Sequence, residues 1–152
     1  MGTFIYKAKD GPDRTVEGEL EVEAFLYDLE RQRLLGGYRV QGRDQQQAEG
    51  MLRDAVNLQD AGAQLLVLEC VPQLLAAEIT RALDIPVIGI GAGRETDAQV
   101  LVLQDVLGIT PGQPPRFVHD FMKDADSIAD AIRAYVKAVK SGAFPSEEHC
   151  FS

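Results

Sequence analysis

Several features that define common classes of protein are scarce in this sequence. It has only two cysteines, Cys70 and Cys150, without a C-x-x-C spacing, so it predicts free thiols rather than a disulfide framework or a thiolate zinc site. No apolar stretch reaches the roughly 18 to 20 residues that a bilayer span needs, and residues 1–9 lack the apolar core of a signal peptide. We therefore expect a cytoplasmic protein with no membrane partner.

Positive charge is also scarce. The 24 acidic residues outnumber the 15 lysines and arginines, the formal net charge is -9, and no basic run or basic helix face occurs. Because a phosphate backbone repels such a chain, we expect no nucleic-acid partner. What is present, 45% hydrophobic and 26% charged residues, is typical of a soluble globular protein.

The beginning of the chain differs in style from the rest. Residues 3–9 and 15–22 alternate between apolar and polar side chains around the turn residues at 10–13, which predicts a β-hairpin. Residues 25–35 predict a short amphipathic helix that two glycines end. Residues 1–20 resemble the extreme N-terminus of the inner-membrane platform protein of type II secretion and type IV pilus systems, and no function is carried over from this resemblance.

After the hairpin and the short helix, helices and apolar strands alternate. Asp44 predicts the N-cap of one helix, and Pro72 predicts the first turn of a second helix that follows an apolar strand. Another apolar strand follows, and residues 100–103 form a third apolar run. Such steps are typical of parallel β/α units, so we divide the chain into a segment of different origin, 1–35, and an α/β domain, 36–152.

Asp126 and Ser127 predict the cap of the last helix, and Ser141 and Gly142 predict its end. Its apolar residues share one predicted face: Ile128, Ile132, Tyr135, Val136 and Val139. The tail that follows has no periodicity. His149 follows two glutamates and could belong to a metal or proton-transfer site. An exposed histidine near the end of the sequence is the simpler expectation.

The domain is organised around LLVLECVP at residues 65–72. A continuous apolar run of this kind is typical of a strand that is covered on both faces, and it places Glu69 at the carboxyl end of that strand. In open α/β sheets and in barrels, that edge carries the ligand sites and the chemistry. The alternative is an ordinary surface glutamate that ends a strand.

Two glycine-rich loops are candidates for anion binding. Gly89, Gly91 and Gly93 follow a strand, where backbone N–H groups often hold phosphates, but their spacing is not the G-x-G-x-x-G dinucleotide motif. Residues 36–43 combine glycines with two arginines that could contact an anion. Close packing of a strand and a plain linker are the respective alternatives.

Five sequence blocks occur in a fixed order after the first 35 residues. They are GGYRVQGR at 36–43, LECVP at 68–72, IPVIGIGAG at 85–93, TDAQ at 96–99 and EEH at 147–149. In these blocks the chain resembles the ketopantoate hydroxymethyltransferase family, also called 3-methyl-2-oxobutanoate hydroxymethyltransferase. The resemblance implies an α/β fold that is the C-terminal portion, about three β/α units, of a (β/α)8 TIM-type barrel.

The resemblance also implies a function. The family transfers a hydroxymethyl group from 5,10-methylenetetrahydrofolate to the 2-oxo acid 2-oxoisovalerate in pantothenate and coenzyme A synthesis, and magnesium (Mg2+) binds the acid. Glu69 matches the proposed base that takes the proton next to the ketone. Apolar surroundings at Leu68 and Val71 would raise the pKa of this base.

Much of the family pattern has no counterpart here. The family's metal-binding aspartates and its substrate-binding lysine, serine and histidine lie ahead of the block at 36–43, so we predict no metal ligand in this chain and no catalysis by the chain unaided. Within the matching part, Ala98 replaces a usual glycine and Cys150 a usual serine. Three parallel strands cannot close into a barrel, so we expect a homo-oligomer or a requirement for the missing barrel half.

Two other functions are compatible with the sequence. One is a non-catalytic truncated, fused or designed α/β domain, and the other is a lyase of the related phosphoenolpyruvate mutase type. Deuterium exchange at C3 of 2-oxoisovalerate would separate the transferase from the non-catalytic domain. The choice of substrate would separate it from the lyase.

Overall fold

The chain forms two compact units, Met1–Arg39 and Val40–Ser152. The computed structural model describes the backbone of residues 2–9 and 15–22 and the whole of residues 40–152. Of the helices in these ranges, none combines the length and the apolar content that crossing a bilayer requires.

An antiparallel hairpin lies in the first unit. Strand β1 (Gly2–Lys9) pairs along its whole length with β2 (Thr15–Val22). The predicted hairpin is therefore confirmed, because the two alternating segments form its strands. The helix predicted at residues 25–35 and the first half of the loop at 36–43 lie outside the described residues.

The second unit is built on a three-stranded parallel sheet in the order β3-β4-β5. Strand β3 (Leu66–Glu69) pairs with β4 (Val87–Ile90), and β4 pairs with β5 (Ala98–Gln99). Helix α1 (Gln45–Asp60) precedes β3, and α2 (Gln73–Ala82) connects β3 to β4. The predicted α/β fold class is confirmed by these alternating elements.

The third strand does not lie where the apolar run at residues 100–103 predicts it. Strand β5 is shorter and earlier, and the chain then turns into helix α3 (Leu103–Val106), in which Val106 N donates to Val102 O at 3.1 Å. No described strand pairs with the outer edge of β5, so nothing extends this strand beyond Val100, whose N–H donates to Gly89 O. The apolar side chains of Val100, Val102 and Leu103 are exposed as a result.

Two apolar clusters form the core of this unit. The first contains side chains from α1, α2, β3 and β4: Ala55, Leu68, Val71, Leu75, Ala76, Ile79, Leu83, Val87 and Ala92. The second has buried members from the carboxyl ends of β3 and β4 and from later segments: Cys70, Ile90, Leu101, Val106, Phe117 and Phe144. Leu75 and Ile79 of α2 and Leu83, the residue after it, are buried and have i, i+4 spacing.

Helix α4 (Ile128–Lys140) begins at the predicted cap but turns a different face to the core. The Ser127 side chain accepts a hydrogen bond from Asp130 N at 3.2 Å. The inward positions follow i, i+4, i+7 and i+8 spacing: Ala131, Tyr135, Ala138 and Val139. Three of the five residues predicted to be inward are exposed instead: Ile128, Ile132 and Val136.

One face of the sheet is partly uncovered. In the parallel register Val67 is opposite Ile88, and Glu69 is opposite Ile90, so these four side chains share a face. Val67 is 42% exposed, and Leu65, two residues earlier in the chain, is also exposed. A parallel sheet is normally covered on both faces, so part of the usual cover is missing here.

Candidate active site

Glu69 is the last residue of β3 and lies at the carboxyl end of the sheet. It shares a face with Ile90, a member of the second apolar cluster, whereas the preceding Leu68 points into the first cluster. Burial raises the pKa of Glu69 above its ordinary value of 4.5. A carboxylate with a raised pKa is a stronger base, and it lies at the edge where parallel α/β proteins place their chemistry.

Cys70 turns the chain sharply directly after Glu69. Its φ of 53° lies in the left-handed region, which non-glycine residues rarely adopt. Two backbone hydrogen bonds fix the turn: Cys70 N donates to Ile90 O at 2.9 Å, and Gln41 N donates to Cys70 O at 3.0 Å. A strained residue of this kind costs on the order of 1–3 kcal/mol and is found most often at functional sites.

The thiol of Cys70 is expected to be unreactive at neutral pH. Burial, and after it the charge of Glu69, raises the pKa of the Cys70 thiol to about 12. Because only the thiolate is a good nucleophile, the protonated thiol packs as a small apolar group at neutral pH. Both cysteines of the sequence are buried and free.

The glycine-rich loop after β4 is shaped by close packing. A Cβ added at Gly91 would lie 2.8 Å from the Phe117 ring, and one added at Gly93 would lie 2.5 Å from Gln73 Cβ. Both glycines also have positive φ, 63° and 78°. The close-packing alternative therefore accounts for these glycines, and binding of an anion at either glycine-rich loop stays a prediction.

Polar side chains of the TDAQ block hold the same loop. Gln99 Nε2 donates to Gly93 O at 2.8 Å and to Thr96 Oγ1 at 2.7 Å. Asp97 Oδ2 accepts from Val87 N at 2.8 Å, which ties this block to the start of β4. These residues fix the backbone behind the site instead of presenting groups to a ligand.

The C-terminal tail is attached to the same end of the sheet. Phe151 O accepts from Gln73 N at 2.9 Å, and Glu147 accepts from Gln73 Nε2 at 3.2 Å. The other carboxylate oxygen of Glu147 contacts Arg94 Nη2, also at 3.2 Å. Gln73 begins the helix that follows Glu69, and Arg94 lies just after β4, so Glu147 bridges the segments that follow both strands.

His149 is buried in this tail, at 7% exposure, so the expectation of an exposed terminal histidine is wrong. It closes a capping box on the short 3-10 helix Glu147–His149, with Nδ1 at 3.2 Å from Ser146 N and 2.7 Å from Ser146 Oγ. These hydrogen bonds to Ser146 replace those that water would make to Nδ1, so the ring can be buried. The signal in the sequence was the Ser-x-x-His spacing, which parallels the Ser-x-x-Glu capping box.

The His149 ring lies among other rings. Its centroid is 5.0 Å from that of Phe144 and 5.6 Å from that of His119. Burial lowers the pKa of His149; His119 and Arg116 add to this effect, and Glu148 opposes it. The imidazole is therefore neutral at neutral pH.

The described residues do not form a metal centre. Within residues 40–152 and the two described strands, no group of three or more His, Cys, Asp or Glu side chains could hold a metal ion. Glu69 and His149, both in the resembling blocks, are partly and almost fully buried, respectively, near the carboxyl end of the sheet.

A family model connects this arrangement to known proteins. The model described as ketopantoate hydroxymethyltransferase matches residues 29–147. The chain belongs to the ketopantoate hydroxymethyltransferase family. The predicted resemblance is confirmed, and the match begins upstream of residue 36, so the division of the chain after residue 35 stays a prediction.

Curated relatives agree with this membership of the ketopantoate hydroxymethyltransferase family. Three of them carry the name 3-methyl-2-oxobutanoate hydroxymethyltransferase. The chain is 60% identical to the one from Marinobacter nauticus over 116 residues, 60% to that from Alkalilimnicola ehrlichii over 117 residues, and 58% to that from Pseudomonas fluorescens over 120 residues. These stretches cover 76%, 77% and 78% of this chain.

The coverage of the relatives is much smaller. The matched stretches cover 44%, 42% and 45% of the three proteins, so the chain spans less than half the length of the curated relatives that it matches. Together with the three parallel strands, this identifies the second unit as part of a (β/α)8 barrel of the ketopantoate hydroxymethyltransferase family.

Proposed function

We propose that this chain supplies the proton-abstracting part of a hydroxymethyl transfer from 5,10-methylenetetrahydrofolate to 2-oxoisovalerate, which gives ketopantoate in the cytoplasm. The observation that carries the proposal is the place of Glu69, half-buried at the carboxyl end of a parallel strand in a chain of this family. The function of the named relatives points to the same reaction.

The chemistry assigned to this chain is the removal of one proton. The Glu69 carboxylate takes the proton from C3 of the 2-oxo acid, and the electron pair of the broken C–H bond forms the new C–C bond to the one-carbon unit. Both bonds from that unit to the folate nitrogens break: one is replaced by the C–C bond and the other by a bond to a hydroxyl group from water. Tetrahydrofolate leaves, and its two nitrogens take up the proton removed from C3 and the remaining proton of water. Because burial raises the pKa of Glu69, this pKa is closer to that of the C3–H group of the substrate, which makes the proton transfer less unfavourable. Val67 and Ile90 share its face and offer apolar contact to the branched alkyl group.

Magnesium does not fit the side chains that the structure describes. When bound, it would stabilise the charge that develops on the substrate oxygen. The described ranges contain no suitable group of ligands, so we derive no step through magnesium and assign no residue of this chain to the folate. We propose that the β/α units preceding the matched part in the relatives provide the ligands, and that this chain is inactive without them.

A deuterium-exchange experiment tests the proposal. The chain is mixed with a complementary polypeptide, which carries the part of the Marinobacter nauticus relative that precedes the match. The mixture is prepared in D2O and contains magnesium. Loss of the C3 proton signal of 2-oxoisovalerate is then followed by NMR. We expect exchange by the mixture and none by the chain alone. Glu69→Gln should slow it at least about 100-fold, whereas Glu78→Gln, an exposed glutamate on α2, should not. Equal rates for the two variants would refute the role of Glu69.

A non-catalytic role is the second candidate. It is favoured by the lack of a suitable metal-ligand group in the described ranges and by the short coverage of the relatives. In this case the α/β unit is an assembly module, and the mixture forms a complex without exchanging the C3 proton.

A further inference from the structure

Among the described residues, one ring nitrogen of His149 has hydrogen-bond partners and the other has none. Nδ1 is 3.2 Å from the backbone nitrogen of Ser146, which can only donate, so Nδ1 accepts. In a neutral imidazole the proton is then on Nε2. The capping box thus fixes the tautomer as well as the orientation of the ring.

The Nε2–H group of His149 is not fully buried. In the ranges that the structure describes, the hydrogen bonds of the His149 ring use Nδ1, and the backbone N of His149 donates to Ser146 O at 2.9 Å. Among the described residues, no side-chain nitrogen or oxygen is fully buried without a hydrogen-bond partner. Nε2 is therefore not fully buried, although the residue as a whole is more than nine-tenths buried. A fixed donor that the fold does not use is available to a ligand.

The position of this donor is set by the attachments of the tail. Glu147, two residues before His149, contacts Gln73 after β3 and Arg94 after β4, and Phe151, two residues after it, bonds to Gln73 N. Both sides of His149 are therefore held at the carboxyl end of the sheet, where β3 ends with Glu69.

The surroundings keep the donor neutral. Phe144 and His119 contact the ring. Burial lowers the pKa of His149, Glu148 opposes this, and His119 and Arg116 add to it. Arg116 Nε itself donates to Glu148 O at 2.7 Å. The ring therefore offers a hydrogen bond at neutral pH without adding a full positive charge at this end of the sheet.

We propose that His149 is a ligand-binding residue of this site, whose Nε2–H donates a hydrogen bond to an oxygen atom of the small 2-oxo acid that binds beside Glu69. The identity of the acid rests on the proposed function. Ser146 and Glu147 are positioning residues, because they act only through His149 and the tail.

NMR of the imidazole nitrogens tests the geometry directly. The sequence has two histidines, so a His119→Gln variant assigns the signals of the 15N-labelled full chain. We expect the Nε2–H tautomer at neutral pH, and a shift of Nε2 when 2-oxoisovalerate is added to the mixture with the complementary polypeptide. An Nδ1–H tautomer, or signals that stay unchanged at saturating acid, would overturn the proposal.

Two matched variants separate the role of Nε2 from the role of Nδ1. His149→Asn keeps a polar atom near the place of Nδ1 and removes Nε2, whereas His149→Gln places an amide nitrogen near Nε2. We expect His149→Asn to weaken 2-oxoisovalerate binding about tenfold, the typical effect of one hydrogen bond, and His149→Gln to stay within about threefold. Urea unfolding of both variants checks their folding. Equal binding by both variants overturns the proposal.

The exchange reaction distinguishes this inference from the proposed function. If His149→Asn exchanges the C3 proton with an unchanged dependence on 2-oxoisovalerate concentration, the inference fails and the function stands. If the acid shifts Nε2 but no exchange occurs in the mixture, the inference stands and the proton-abstraction role of Glu69 fails.

Discussion

At the scale of single residues, Glu69 and Cys70 each lower the free energy of unfolding. A half-buried carboxylate loses hydration, which is why its pKa is raised, and the next residue adopts a left-handed backbone conformation. Neither feature stabilises the domain. Their occurrence at the end of β3 is what a site selected for chemistry would show.

Glu69→Gln should stabilise the protein at pH 7 but not at pH 4. Because burial raises the pKa of Glu69 in the folded state, its contribution to stability is fully present below its ordinary pKa of 4.5 and is lost as the pH rises through the folded value. Glutamine does not ionise and avoids this loss. Urea unfolding at both pH values measures the difference, with Glu78→Gln as the exposed control. A Glu69→Gln variant that is less stable than the parent at pH 7 would contradict the expectation.

The two thiols should be unreactive in the folded protein. Burial and Glu69 raise the pKa of Cys70 to about 12, and burial, then Glu147, raises the pKa of Cys150. At pH 8 we expect negligible reaction with a colorimetric thiol reagent in native buffer and reaction of both cysteines in concentrated guanidinium chloride. Rapid labelling of either native thiol would show that the site is open.

The sequence predicts the place of Glu69 but not that of His149, for a physical reason. The continuous apolar run at residues 65–68 favours a strand of a parallel sheet, and the acid then lies at its end. The tail has no periodic pattern, and the burial of His149 depends on a local capping bond and on Phe144 and His119, which are close in space but not all close in sequence.

At the scale of elements, α2 shows the division between buried and exposed faces most clearly. Ile79 is fully buried in the first apolar cluster, whereas Leu74, on the other side of the same helix, is 80% exposed. The two residues have the same number of carbon atoms in their side chains. They therefore form a matched pair for measuring what burial contributes.

Ile79→Ala should destabilise the protein by about 2–5 kcal/mol, because it removes buried methyl groups and leaves a cavity. Leu74→Ala should change the free energy of unfolding by no more than about 0.5 kcal/mol, as surface substitutions usually do. Urea unfolding monitored by circular dichroism measures both. A comparable loss in the Leu74→Ala variant would mean that α2 is covered by another polypeptide.

The elements differ in how far the sequence determines them. Asp44, whose side chain accepts from Gln47 N at 2.8 Å, and Pro72 mark the starts of α1 and α2 by local chemistry. The orientation of α4 was not predictable, because two stripes on that helix are apolar and the choice between them depends on distant packing. Strand β5 is short because no described strand pairs with its outer edge.

At the scale of the whole molecule, the described surface shows where cover is missing. Val67 on the sheet, Val100 and Val102 after β5, and Ile132 and Val136 on α4 are all exposed. A parallel sheet is normally covered on both faces, so we expect the uncovered face at Val67 to contact another polypeptide.

The isolated chain should self-associate at micromolar concentration, because exposed apolar positions and a sheet edge favour contact with a second copy. Val67→Lys places a charge on the uncovered face, at a residue that is 42% exposed, and should shift sedimentation velocity profiles towards the monomer. Gln46→Lys makes the same change in charge on exposed α1 and should leave the profile unchanged. A monodisperse wild-type monomer would show that the apolar surface is covered within the chain. The complementary polypeptide could instead convert the oligomer to a one-to-one complex. If Val67→Lys blocks this conversion, the face at Val67 contacts both a second copy of the chain and the complementary polypeptide.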